Sequence, residues 1–168
     1  MQKITPFLWF DKQAEEAMNF YVDVFNKAPN KQAESKVVSI TRYPEDQQVG
    51  PMKDMAGKVL TGTFELAGQT LMALDGGPMF TFNESISLHV ESADQQETDY
   101  YWNALTTAPE SEQCGWLKDK YGLSWQIIPK QLGEILGGSD HQGASRAMQA
   151  MLQMKKIDIA ALQKAYNG

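Results

Sequence analysis

Apolar and polar positions along this chain follow one order twice. The order is a short apolar run, an acidic residue, a helical stripe, then alternating runs that close on a glycine-led strand. Such a repeat is sought first, because missing it misassigns the fold. In the first copy residues 4–10 read as a buried strand. Asp11 stands where it can cap the helix that follows, and Glu15 and Glu16 suit the dipole of its first turn. Ala14, Ala17, Met18, Tyr21 and Phe25 share one helical face, and Pro29 and Asn30 end it. Residues 35–43 and 58–66 alternate as strands around a polar loop holding Gly50, Pro51 and Gly57. Ala67-Gly68-Gln69 predicts a tight turn into a strand over 70–74, and Asp75-Gly76-Gly77-Pro78 breaks the pattern.

The second copy has a shorter middle. Residues 85–90 read as a strand, and Asp94 with Glu97 has the spacing of a capping box. Thr98, Tyr101, Trp102 and Leu105 form the buried stripe of its helix. Short strands are expected near Glu112 and over 115–118, then a turn at 119–122 and a strand to Ile128. After Pro129 the composition turns to helix formers, with helices expected over 131–136, 140–154 and 158–166. The prediction is one domain over residues 1–130, built of modules at about 1–78 and 84–130. Residues 131–168 form a helical extension of that domain, too short to bury a core alone.

Composition narrows the partners. A net charge of -6 argues against nucleic acid, which needs clustered Lys and Arg. No apolar run approaches the roughly 20 residues of a membrane helix. The single cysteine, Cys114, excludes an internal disulfide and fits a reducing compartment. No basic-then-apolar leader precedes the first strand. A cytoplasmic protein without membrane or nucleic-acid partners is expected.

Two segments carry a family resemblance. Asp11-Lys-Gln-Ala-Glu-Glu-Ala17 with Phe20-Tyr21, and Cys114-Gly-Trp-Leu-Lys-Asp-Lys-Tyr-Gly-Leu-Ser-Trp-Gln-Ile-Ile-Pro129, resemble the PhnB-like proteins. These belong to the vicinal oxygen chelate superfamily, with glyoxalases, extradiol dioxygenases and bleomycin-resistance proteins, and are often labelled 3-demethylubiquinone-9 3-methyltransferase. The resemblance covers about residues 3–130. It implies an α+β fold of paired βαβββ modules whose strands form a curved mixed sheet around a cavity, commonly in a homodimer. The Met148, Met151 and Met154 stripe is apolar surface that a dimer, or the domain itself, must bury.

The methyltransferase label finds no motif. A Rossmann-type S-adenosylmethionine site needs a glycine-rich turn between a strand and a helix. Here Asp11 follows the first strand without a neighbouring glycine, and Pro78 with no helical pattern after it makes the Asp75 segment a turn. Metal-dependent relatives hold an ion with His, Gln or Glu near the start of the first and fifth strands and in the last strand of each module. The resemblance aligns Thr5, Ser85, Met72 and Gln126 with those places. Only Gln126 is an ordinary ligand, so no metal and no cofactor are expected. His89 shares the parity of Ser85 and Ser87, and without a paired carboxylate it reads as a hydrogen-bonding residue. His141 reads as a surface residue at a helix start.

Strand alternation supplies candidate cavity-lining residues. They are Thr5, Phe7 and Trp9 on the first strand, Thr70, Met72 and Leu74 on the fourth, Ser85, Ser87 and His89 on the fifth, and Ser124 and Gln126 on the last, while Trp116 and Trp125 read as core. Aromatic and thioether groups with a few neutral hydrogen-bonders are typical of small-molecule pockets, though the same side chains can equally fill a closed core. Nucleophilic catalysis lacks a motif: no Gly-x-Ser-x-Gly elbow occurs, and Cys114 is alone. Two classes of function follow. One is a metal-independent small-molecule-binding protein; the other is an enzyme of the superfamily, glyoxalase-like, dioxygenase-like or the methyltransferase of the label.

Overall fold

Each sheet of this protein buries one face under its own helix, and that requirement organises both halves of the chain. The computed structural model describes residues 3–46 and 53–168; Gly50 and Pro51 of the expected loop lie outside them. The chain divides into a unit of residues 1–82 and a unit of residues 83–168. Together the described residues form an α+β protein with two mixed sheets and five α-helices, including the helices expected after Pro129.

The first unit runs β1 (Phe7–Phe10), α1 (Ala14–Lys27), β2 (Lys36–Arg42), β3 (Val59–Leu66) and β4 (Gln69–Asp75). The sheet order is β1-β4-β3-β2, with β1 parallel to β4 and the other pairs antiparallel. The helix stripe of Ala14, Ala17, Met18, Tyr21, Val24 and Phe25 is buried. So are Leu8, Phe10, Phe64, Leu66, Leu71 and Ala73 on the strands. Each large side chain so buried contributes about 1.5–3 kcal/mol relative to exposure. The β3–β4 turn is the expected two-residue hairpin. Ala67 and Gly68 both take positive φ, 48° and 85°, as a type I′ turn requires. The first strand is shorter than its apolar run implied: Ile4 is 88% exposed, and Thr5 precedes the ladder.

The start of α1 departs from expectation. Asp11 does not cap it; the N-cap position is Gln13, which makes no side-chain capping bond. Instead the Ala14 N–H donates to Asp75 Oδ1 at 2.8 Å, and the Val59 N–H donates to Oδ2 at 3.0 Å. Because α1 begins at Ala14, Gln13 and not Asp11 holds the N-cap position, and the Ala14 N–H is taken by Asp75. Asp75 lies beside Phe10 in the β1–β4 ladder and points under the helix end. Burial pushes the Asp75 carboxyl above its usual range, against the pull of the two N–H donors and Lys58, while nearby Asp11 pushes the same way as burial.

The second unit runs β5 (Leu88–Ser92), α2 (Gln95–Leu105), β6 (Trp116–Lys118), β7 (Ser124–Pro129), α3 (Lys130–Leu136), α4 (His141–Met151) and α5 (Ile159–Asn167). Its sheet order is β5-β7-β6, with β5 parallel to β7. The capping box forms: the Glu97 N–H donates to Asp94 Oδ1 at 2.9 Å, and Glu97 Oε2 accepts from the Ala93 N–H at 2.7 Å. Two expectations are corrected. The strand starts at Leu88, so Ser85 sits in a turn with its hydroxyl on Asn83 Oδ1. The strand near Glu112 is reduced to one bridge between Gln113 and Trp116, after a 3-10 turn over Pro109–Ser111. Cys114 and Gly115 then take positive φ, which ends any ladder there.

The extension covers that gap. Cys114 and Gly115 donate their N–H groups to the carbonyls of Met154 and Lys155, at 2.8 and 2.7 Å. Gln95 bonds both the Ile157 carbonyl and the Ile159 N–H. Leu132, Ile135, Ala147, Ile157 and Leu162 form a core of their own, against which Ile128, Met151 and Met154 pack. Most of the Met stripe is thus covered within the unit, while Met148 is 40% exposed.

Candidate functional site

Because α1 takes one face of the first sheet, alternation turns Phe7, Trp9, Thr63, Met72 and Leu74 to the other. Phe7, Met72 and Thr63 stand in one row across β1, β4 and β3. Phe7 is 51% exposed. Trp9 is committed locally: its indole N–H donates to the Gly77 carbonyl at 2.9 Å, and Phe80 meets its ring edge-on. A Cβ on Gly76 would fall 2.2 Å from the Trp9 ring, so the turn after β4 is glycine because the indole lies on it. The N–H groups of Gly76 and Gly77 donate to the carbonyls of Phe10 and Asp11. A turn whose donors are taken and whose face is covered cannot cradle the anionic groups of a nucleotide-like cofactor, and no helix follows it. S-adenosylmethionine of the Rossmann type does not fit here.

In the second unit α2 covers Trp125, Leu117 and Ile127, and the other face carries His89, Trp116, Ser124, Gln126 and Ile128. Trp125 is core, with its indole N–H on Asp119 Oδ2 at 2.8 Å. The other Asp119 oxygen accepts from the N–H groups of Tyr121 and Leu123, the turn chemistry its position suggested. His89, Gln126 and Trp116 form one row across β5, β7 and β6. Gln126 Nε2 donates to Ser87 Oγ at 2.8 Å. Among the described residues the Ser124 hydroxyl is buried with no partner.

The register sharpens the repeat. Met72 and Gln126 each lie four residues after the glycine that leads their strand, and their ladder partners are Phe7 and His89. Within the units, then, Phe7 meets Met72, and His89 meets Gln126 with Ser87 attached. Thr5 and Ser85 precede the ladders. A divalent ion needs three or more donors. In the first unit Phe7 supplies none and Met72 only a thioether; in the second, His89 and the Gln126 carbonyl oxygen supply two. These residues do not fit the metal site of the metal-dependent relatives. Among the described residues no group of three His, Cys, Asp or Glu side chains is placed to hold a metal ion.

A separate cleft of about 370 Å³ lies at the start of α1, lined by Lys12, Gln13, Glu15, Glu16, Asn19, Arg42, Gly57, Lys58, Val59 and Asp75. Its strongest charges satisfy each other. Arg42 forms a two-bond pair with Glu15 at 2.7 and 2.8 Å, which lowers the Glu15 carboxyl below its usual range. None of the sequence-derived candidates lines it. The sequence reading put Ser124 on the cavity face with Gln126 and took Trp116, with Trp125, as core. Trp116 joins the site through its register with Gln126, a pairing across a turn that no local pattern reveals. Ser124 had the right parity, but its orphaned hydroxyl is visible only in three dimensions.

Comparison with known proteins follows the same lines. The 3-demethylubiquinone-9 3-methyltransferase family profile matches residues 2–128. The solved PhnB protein of Bacillus cereus is 40% identical, covering 76% of this chain and 99% of its own, with a TM-score of 0.60. Protein PA1353 of Pseudomonas aeruginosa is 17% identical over 77% of this chain and 98% of its own; its TM-score of 0.52 speaks to the fold alone. No curated protein matches. No helix among the described residues is long and apolar enough to cross a membrane. By sequence over three quarters of its length, this chain belongs to the 3-demethylubiquinone-9 3-methyltransferase, or PhnB-like, family of the glyoxalase-like superfamily.

Proposed function

We propose that the protein binds a small, partly aromatic molecule without a divalent metal, as a cytoplasmic homodimer. The observation that carries this reading is the row of His89, Gln126 and Trp116 on the face of the second sheet turned away from α2. An indole beside an amide and an imidazole suits an organic ligand, with stacking for its ring and hydrogen bonds for its polar end. The enzyme reading rests on the family's name, and a methyl-transfer reaction would need a cofactor site that the occupied Gly76-Gly77 turn does not offer.

A thermal-shift screen of chelator-treated protein tests the binding reading, because a ligand stabilises in proportion to the logarithm of its excess over Kd. Hits that survive chelation are expected, and Gln126→Ala is expected to weaken them by about 1 kcal/mol, the worth of one neutral hydrogen bond. Stoichiometric zinc, nickel or iron retained through chelation would overturn it. Sedimentation at micromolar concentration tests the dimer, and a monomer there would end that part of the proposal.

A further inference from the structure

Resting on that binding reading, we infer that the second sheet takes a neutral aromatic carbonyl compound with an N–H or O–H donor beside the carbonyl. Three observations converge. Ser124 is 1% exposed, and its hydroxyl has no partner among the described residues. A buried hydroxyl left unpaired is costly, and a ligand acceptor beside it would remove that cost. Two residues along the same strand face, Gln126 spends one N–H on Ser87 Oγ. Its carbonyl oxygen keeps its acceptor capacity, and the Ser87 hydroxyl keeps its own hydrogen to donate. The face therefore offers hydroxyl donors and an amide acceptor side by side, which is the complement of a carbonyl flanked by a donor.

Charge decides between neutral and ionic ligands. The one cation on the three strands, Lys118, is paired with Glu84, and the one anion on this face, Glu91, is exposed. A carboxylate or phosphate would have to be desolvated here with no free cation to meet it. Trp116, the ladder partner of Gln126, supplies the apolar wall for a ring.

The test titrates the full chain with benzamide, benzoate and toluene, following the Gln126 side-chain amide and the Trp116 indole by NMR. Benzamide is expected to shift both signals and to bind roughly tenfold more tightly than either analogue, as a site built to pair polar groups discriminates. Ser124→Ala is expected to abolish most of that preference while leaving the melting temperature unchanged or slightly higher, since an unpaired hydroxyl leaves the interior. Benzoate or toluene binding as tightly as benzamide, at the same two residues, would overturn the ligand class and leave the binding reading standing. Absence of any shift with all three at millimolar concentration would count against both. A Ser124→Ala protein that melts lower yet keeps the benzamide preference would show the hydroxyl to be structural and overturn its assigned part.

Discussion

The two units begin their helices by different means. In the first, the Ala14 N–H is met by Asp75, 61 residues away in sequence. In the second, Asp94 and Glu97 close the start of α2 from within its first turn. The registers make the contrast sharper: Phe10 pairs with Asp75, and the matching Ser92 pairs with Pro129, which has no carboxylate. A local box lets a helix start before any sheet exists. A cap borrowed from the far strand ties helix start, β1–β4 pairing and the first residue of β3 into one event. Repetition of the element order thus does not imply repetition of the interactions that hold it.

The largest effect should come from removing the extension. Deleting residues 131–168 strips the partners from the Cys114 and Gly115 N–H groups and exposes Ile128. Hydrogen exchange should then show lost protection across 88–129, with the amides of β1, β3 and β4 still protected; equal loss in both units would erase the distinction. Next in size, Asp75→Ala leaves two buried N–H donors unpaired and should cost roughly 2–4 kcal/mol in urea unfolding. Asp94→Ala removes a half-exposed cap and should cost about 1 kcal/mol. Equal costs would mean that the distant cap is no more demanding than the local one.

A smaller effect concerns pH. The folded-state Asp75 carboxyl is raised by burial, so the unfolded chain ionises first as pH rises. Stability from this group is full below the ordinary carboxylate range, about pH 4, and falls as pH climbs towards the raised value. The difference in stability between wild type and Asp75→Asn should therefore be largest in acid and shrink with rising pH; a difference that grows would reverse the sign. Smallest of all, Ala67 holds φ at 48°, a left-handed conformation that costs a residue with a Cβ about 1 kcal/mol. Ala67→Gly should raise the melting point of the first unit by no more than a few degrees.

Periodicity made much of the fold legible. Both helical stripes, the β3–β4 turn, the Asp94 box and the three terminal helices follow from spacing alone. Strand starts did not, because an apolar run does not record where its ladder partner begins: residues 4–6 precede β1, and 85–87 precede β5. Asp75 read as a turn residue, since its partners Ala14 and Val59 lie far off in sequence. Of the candidate site, the pairs Phe7 with Met72 and His89 with Gln126 were within reach of alternation. Trp116 was not, because its place depends on pairing across the 119–122 turn, and Trp9 was legible as a ring on the cavity face but not as the cover of Gly76.

The clasp at Met154 to Ile157 also has a meaning in time. A ribosome extends a chain at roughly 5–20 residues per second, and domains generally fold as they emerge, N-terminal part first. Everything the first sheet needs, Asp75 and the Phe82 ring against Phe10 included, is available by residue 82. The second sheet must wait for the segment that satisfies Cys114 and Gly115, some 40 residues beyond them. For roughly 2–8 s at that pace the nascent second unit carries bare backbone donors at the rim of a short strand, a window in which a chaperone, or a neighbouring chain, would find it unfinished.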